Sequence, residues 1–421
     1  MKNNSLIITS QIIVLLSVFI FTSAYAADDN TISKANDQNN PLSKRDMYIP
    51  GTETLAADEM RVISLGTGMP AITRRQAAAS FLVQLGNGEN FIFDMGTGSL
   101  TNLTQLQIPW NTLNKVFLGH LHFDHIGDLD ALLIVGVSHG RNVPLNIWGP
   151  SGKTPELGTT YAVARLQEAY SWEFASKRGR VPSTGYQPIV HEFDYSKTHV
   201  IYEENGVKIT SFPAIHGLDG PVSFSLEWND LKFVYSSDTF PNKWFMENSK
   251  NADILIHESF PSVSQLIDYN KMQPESAWPV GTRVHTQPAA AGKIFSLLKP
   301  RMAIAYHFIN EIRTNQQVLQ EIRSTYDGPL TLAQDLLVWN VSKDFVSVRE
   351  TVGQEQTWPS KSKLANAKIE VEKRPHVSKW LEEGRLDMQD VDRGVWESLD
   401  EETRKRILER IPEIKKQLGI K

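Results

Sequence analysis

The 421-residue sequence contains no cysteine. No disulfide and no thiolate metal site can form, so stability has to rest on packing and on nitrogen and oxygen ligands. An excess of positive charge is also missing. Lys and Arg number 43 against 48 Asp and Glu, a formal charge of −5, which excludes a general attraction to nucleic acid, and no nucleic-acid partner is expected. The N-terminal apolar run from Ile12 to Phe21 is short of the roughly 20 residues that span a bilayer. With Lys2 before it and Ala24-Tyr25-Ala26 after it, residues 1–26 read as a signal peptide, and a single membrane anchor is the competing reading. Cleavage between Ala26 and Ala27 would leave a periplasmic or secreted protein with no stable membrane insertion. No internal repeat is present.

Composition divides the rest. Residues 27–57 are polar, Asn- and Asp-rich and unpatterned, as in a flexible leader. From Arg61 short apolar strands alternate with glycine turns, at Arg61–Leu65, Ser80–Leu85 and Asn90–Phe93. Helical patterns mix with them further on, which indicates an α/β class over residues 58–350. Residues 151–197 read as an insertion rather than a strand pair, because Tyr161 to Ala175 has helical periodicity and carries Tyr170 and Trp172. Residues 351–421 turn polar and charged. Ser398-Leu399-Asp400-Glu401 has the capping-box pattern, and Ile407, Leu408, Ile411, Ile414 and Leu418 follow at helical spacing. With Trp380 and Trp396, this helical extension reads as an appendage docked on the core. A dimerisation arm, giving a homodimer, is the alternative.

The chemistry is concentrated in His120-Leu-His122-Phe-Asp124-His125. On an extended segment His120 and His122 point the same way, and Asp124 and His125 turn back in a tight loop, so one loop can serve two metal ions. Neutral imidazole and carboxylate suit zinc, and manganese or iron is not excluded by donor type. Lys115–Gly119 reads as a strand leading in and Asp128–Val135 as a helix leading out. Asp94 ends the strand Phe91–Phe93 and reads as a residue that ties down the metal loops rather than a ligand.

His-x-His-x-Asp-His resembles the signature of the metallo-β-lactamase fold. Leu65-Gly-Thr-Gly-Met-Pro70, Phe93-Asp-Met-Gly-Thr-Gly98 and Leu145-Asn-Ile-Trp-Gly-Pro150 resemble the turns that flank it, and Phe212-Pro-Ala-Ile-His216, Tyr235-Ser-Ser-Asp238 and Ala303-Ile-Ala-Tyr-His307 the segments with later ligands. His257-Glu258 and His285-Thr286 are similar to the extra pairs of the ribonuclease Z and arylsulfatase branch. The whole pattern, with insertion and tail, also resembles secreted metallo-hydrolases found beside guanitoxin biosynthesis genes. The resemblance covers residues 58 to 345 and implies an αββα sandwich. The missing thiol argues against those β-lactamases that place a cysteine in the second metal site.

The same resemblance implies the site. His120, His122 and His216 would bind one zinc ion, Asp124, His125 and His307 a second, and Asp238 would bridge them, although Ser237 stands where a glycine is usual. A metal-bridging hydroxide would attack a small ester, with Asp124 as orienter or base. Glu258 would orient His285, the general acid; ending a buried strand is the plainer reading of His257-Glu258. Ribonuclease Z carries a Gly- and Pro-rich arm that grips transfer RNA where this chain has its aromatic insertion and the short basic patch Lys177-Arg178-Gly179-Arg180. The expectation is therefore an exported dinuclear zinc hydrolase of a phosphodiester or sulfate ester. A ribonuclease Z-type endonuclease, a lactonase and a non-catalytic metal- or partner-binding protein are the alternatives. Arg74 and Arg75 read as a surface pair or as a grip for an anionic substrate. Pro261 to Gly281, with Tyr269, Met272 and Trp278, reads as a substrate wall or a peripheral loop. His139, His191, His199 and His376 have no matching context and read as structural.

Overall fold

The computed structural model describes residues 47–353 except 72, together with 375–411, 414, 418 and 419. The signal peptide, most of the leader and residues 354–374 lie outside the described residues. Sixteen strands are described, in two sheets. The first runs β1 (Met47–Tyr48), β16 (Val346–Thr351), β15 (Leu337–Val341), β2 (Met60–Gly66), β3 (Ser80–Leu85), β4 (Asn90–Phe93), β5 (Lys115–Phe117), β6 (Leu145–Pro150), β7 (Pro188–Phe193). The second runs β14 (Leu330–Leu332), β13 (Met302–Tyr306), β12 (Ile254–Glu258), β11 (Leu231–Tyr235), β10 (Val222–Trp228), β9 (Val207–Pro213), β8 (His199–Glu204).

The continuous apolar runs have a simple cause: both faces of the central strands are covered. Along β2, Met60 and Val62 enter the core between the sheets, while Ile63 and Leu65 face an outer layer with Leu100, Leu103, Leu129 and Leu132. Along β12 and β13, Ile254, Ile256, Ile304 and Tyr306 point between the sheets, while Leu255, Ala303 and Ala305 pack on Phe295, Val318 and Ile322. The result is an αββα sandwich. Phe81, Phe93, Phe117, Phe224 and Phe233 fill its centre, with Phe93 and Phe117 stacked at 5.4 Å.

Strand direction places the site. β4 and β5 are parallel, as are β11, β12 and β13, and β9 runs with them because β10 is antiparallel to both its neighbours. The C-terminal ends of these strands therefore deliver the loops that carry the chemistry, as open sheets generally do.

Three sequence expectations need correction. Residues 47 and 48 belong to the sheet rather than to a flexible leader: β1 pairs in parallel with β16, and Tyr48 is buried with the Arg61 guanidinium 4.3 Å above its ring. A two-residue strand carries too little periodicity to be seen. The insertion is helical over Thr159–Ala169 and Ser171–Lys177, but residues 188–193 form edge strand β7 against β6. In the tail, helices cover Lys379–Glu383, Gln389–Ser398 and Glu401–Arg410. Ser398 ends one helix, and Asp400 caps the next by accepting from the Thr403 amide at 2.7 Å. Its carboxylate is the stronger acceptor. Trp396 is buried and Trp380 exposed. Among the described residues no helix is long and apolar enough to cross a membrane.

Candidate metal centre

His120, His122, Asp124 and His125 leave the end of β5, with a helix at Phe123–Ile126 turning the last two inward. His216 follows β9, Asp238 follows β11 and His307 follows β13. All seven converge. Asp238 is fully buried and central: Oδ2 lies 3.9 Å from His120 Nε2 and 3.7 Å from His216 Nε2, while Oδ1 lies 3.3 Å from both His125 Nε2 and His307 Nε2. His122 Nδ1 is 3.0 Å from the Nε2 atoms of His120 and His216. Asp124 Oδ2 is 3.1 Å from His307 Nε2 and 3.6 Å from His125 Nε2. Two donor groups result, His120–His122–His216–Asp238 and Asp124–His125–His307–Asp238.

These groups fit a zinc-class cation. Nitrogen lone pairs converge on one another, and the buried atoms His125 Nε2 and Asp238 Oδ1 have no hydrogen-bond partner among the described residues, which is costly unless an ion completes the site. Burial holds His216 down to about 4 and also pushes His120 and His122 below the usual histidine range, so these imidazoles are neutral and ready to ligate. Burial would depress His125 and His307 too. The Asp238 carboxylate and then Asp124 outweigh it and raise both.

A layer of hydrogen bonds holds the ligands. Asp94 accepts from His125 Nδ1, the Gly119 amide and Tyr235 Oη, each at 2.7 Å, and from Ser237 Oγ at 3.2 Å. It thereby ties the metal loop to β11. Ser237 Oγ also sits 3.2 Å from His120 Nδ1. Asp94, Ser237 and His307 occupy left-handed backbone at φ 58°, 48° and 71°, strain that collects where chains turn sharply at a functional site. Position 237 suits glycine for that reason. The serine hydroxyl offsets the strain with its two bonds. A side chain at Gly119 would meet Ser237 Oγ at 2.2 Å.

Glu258, the last residue of β12, accepts from His285 Nδ1 at 2.7 Å and from the Thr239 amide at 2.5 Å. The His285 ring stacks on Phe260 at 3.7 Å and lies 4.6 Å from the His216 ring. Burial lowers His285 to about 4 and raises Glu258 well above the usual carboxylate range. His285 Nε2 has no protein partner among the described residues. Asp238, Glu258, His285 and His307 form a third cluster of donors, but Glu258 and His285 are already committed to each other.

Arg74 and Arg75 are exposed and make no ion pair among the described residues. They line a cavity of about 410 Å³ that reaches Asp124 and Phe123. In Pro261–Gly281, Met272 packs inward with Phe260 and Leu266, while Tyr269 and Trp278 are exposed; Tyr269 borders a neighbouring cavity with Arg74 and Arg75. His139 stacks on Trp110 and His191 on Trp148, His199 meets Phe193 edge-on, and His376 is exposed. Sequence reading gave no role in the site to Tyr235, Ser237 or Phe260, whose partners Asp94, His120 and His285 lie more than 20 positions away. Only the aromatic residue shortly after His257-Glu258 was a visible signal.

Asp94→Ala removes the acceptor shared by His125, Gly119, Tyr235 and Ser237. Its zinc affinity, measured by competition with a chromogenic chelator, is expected to fall about 10–100-fold. Unchanged affinity would show that the loops hold their geometry without Asp94.

Comparison with known proteins agrees with this geometry. A family model described as the anti-Pycsar protein Apyc1 matches residues 60–264. Ribonuclease Z of Mycobacterium sp. (strain KMS) is 30% identical over 282 residues, covering 66% of this chain and 94% of that protein. Ribonuclease Z of Prochlorococcus marinus (strain MIT 9312) is 25% identical over 322 residues, covering 67% and 100%. Among solved structures, the metallo-β-lactamase-fold protein YhfI from Bacillus subtilis superposes with a TM-score of 0.51 at 20% identity, covering 68% of this chain and 100% of that one. The short form of human tRNase Z does so with 0.50 at 19%, covering 66% and 98%. With its αββα sandwich and its buried His/Asp cluster, the chain belongs to the metallo-β-lactamase-fold hydrolases of the ribonuclease Z branch and is a metal-dependent hydrolase.

Proposed function

We propose that the protein is an exported dinuclear zinc hydrolase of small esters, with phosphodiesters and sulfate esters ahead of lactones. The observation that carries this reading is the His285–Glu258 pair, 2.7 Å apart and set beside a doubled set of metal donors. His120, His122 and His216 would hold one cation and Asp124, His125 and His307 the other, with Asp238 between; manganese and iron share these donor types. Two such cations, when bound, would acidify a water towards neutrality and would offset charge on the ester oxygens.

The chain's own groups supply the rest. Hydrolysis forms a bond from water oxygen to phosphorus or sulfur while the bond to the leaving oxygen breaks. Asp124 accepts a hydrogen bond from the attacking water and aims it. Glu258 accepts a hydrogen bond from His285 Nδ1 and supports the imidazolium form of the ring; Nε2 of that cation passes its proton to the leaving oxygen, and the proton released by the attacking water restores it. Phe260 keeps the ring in that plane. Arg74 and Arg75 offer cations to an anionic part of the substrate near Asp124.

A second reading is a ribonuclease Z-type endonuclease acting on RNA. It is favoured by the relatives of that name at 30% identity. Against it stand the formal charge of −5 and the helices at 159–169 and 171–177 in place of a protruding arm.

A panel of chromogenic esters with the zinc-reconstituted protein decides between them. Turnover of a nitrophenyl phosphodiester or aryl sulfate is expected, with precursor tRNA left uncut at physiological salt; site-specific trimming of a tRNA 3′ end would overturn the first reading. His285→Ala is expected to slow esters with basic leaving groups by about 10²–10⁴ and nitrophenyl esters far less. An equal loss on both would remove the acid role. Export rests on residues 1–26, and intact-mass analysis from the native host is expected to find a chain starting at Ala27. A full-length, membrane-bound species would contradict it.

A further inference from the structure

The metal cluster sits between two unlike cavities. On the Asp124 side the lining includes Arg74 and Arg75. On the other side a cavity of about 460 Å³ reaches His120, His122 and His216, and its walls are apolar: Leu121, Ile126, Leu157, Tyr161, Leu218 and Pro221. That volume is in the range of small-molecule sites. Leu218, Leu157 and Tyr161 are 61%, 48% and 42% exposed, so apolar surface stands uncovered directly beside the cluster, as expected where a ligand covers it.

Charges at the rim are already matched. The Arg165 guanidinium pairs with Glu168 at 2.6 Å and lies 5.1 Å over the Tyr161 ring. Asp219 faces Lys153 at 3.6 Å, and the exposed Glu156 carboxylate takes a hydrogen bond from Thr154. Among the described residues no unpaired cation is left there to call for an anion. The wall is also fixed in place. Thr159 Oγ1 donates to the Pro150 carbonyl at 2.9 Å, the Thr160 amide donates to Glu192 at 2.6 Å, and Tyr170 Oη donates to Asp130. Asp130 lies on the helix that follows the metal loop. The insertion is thus tied to the loop that carries the ligands.

We infer that the helical insertion forms a specificity pocket, with Leu157 and Tyr161 as its determining residues, for an apolar alkyl or aryl group on the substrate ester. This rests on the ester-hydrolase reading and narrows it to esters with an apolar flank. A ribose-phosphate chain would gain little from such a wall.

The test uses the full zinc-loaded chain and p-nitrophenyl phosphodiesters carrying methyl, propyl or butyl as the second ester. A half-buried methylene is worth about twofold, so kcat/KM is expected to rise about tenfold from methyl to butyl. Leu157→Ser and Tyr161→Ser, both at partly exposed positions, are expected to cut that ratio below about threefold. Trp172→Ser, on the same insertion but outside the cavity, is expected to keep the wild-type ratio. Calorimetric affinities for the matching alkyl methylphosphonates, which release no nitrophenolate, are expected to follow the same ladder. If the phosphonates show the ladder but no ester is cleaved, the pocket stands and the hydrolase reading falls. If the esters are cleaved with a flat ladder, or if both serine variants keep the wild-type slope, the pocket is wrong.

Discussion

One carboxylate organises the molecule's chemistry. Asp238 turns one oxygen to His120 and His216 and the other to His125 and His307, and it is buried between the two groups. A charge in that position is tolerable only if cations or protonated imidazoles surround it. Burial pushes its proton affinity up, yet His307 and His125 pull it well below the usual aspartate range. The His307 and His125 imidazoles favour the charged carboxylate, and bound cations would do the same more strongly. Folding and metal binding therefore draw on the same electrostatic debt.

The sheets explain how seven distant residues meet. β4 and β5 run together in one sheet, β9, β11, β12 and β13 run together in the other, and the chain leaves their ends in tight turns. Three of the turns hold Asp94, Ser237 and His307 in left-handed backbone. Packing of Phe93, Phe117, Phe224, Phe233 and Tyr235 between the sheets keeps the two rows of strand ends opposed. Asp94 then links them, because it holds Gly119 and His125 from the first sheet and Tyr235 and Ser237 from the second.

The sequence showed what is local. His120 to His125 is a complete donor cluster in six positions, and the apolar runs of β2, β3, β4 and β13 mark strands covered on both faces. His216, Asp238 and His307 became legible through family resemblance, since a single histidine after a strand carries little signal alone. What stayed hidden depends on contacts across the chain. Nothing near Tyr235 announces a bond to Asp94, and the aromatic residue after His257-Glu258 does not by itself announce a stack under His285. The strand at Met47–Tyr48 is too short for periodicity, and the strand at 188–193 follows helices that set the character of the whole insertion. Asp400 rather than Ser398 caps the last helix, because Ser398 still belongs to the helix before it and the Asp400 carboxylate is the stronger acceptor.

The account stands on Asp238 lying between two cations. Diffraction from crystals of the zinc-soaked protein, recorded on both sides of the zinc absorption edge, locates the ions directly. Two anomalous peaks about 3.5 Å apart are predicted, one among His120, His122 and His216 and one among Asp124, His125 and His307, with Asp238 touching both. A single peak, or a peak held by Glu258 and His285, would contradict it.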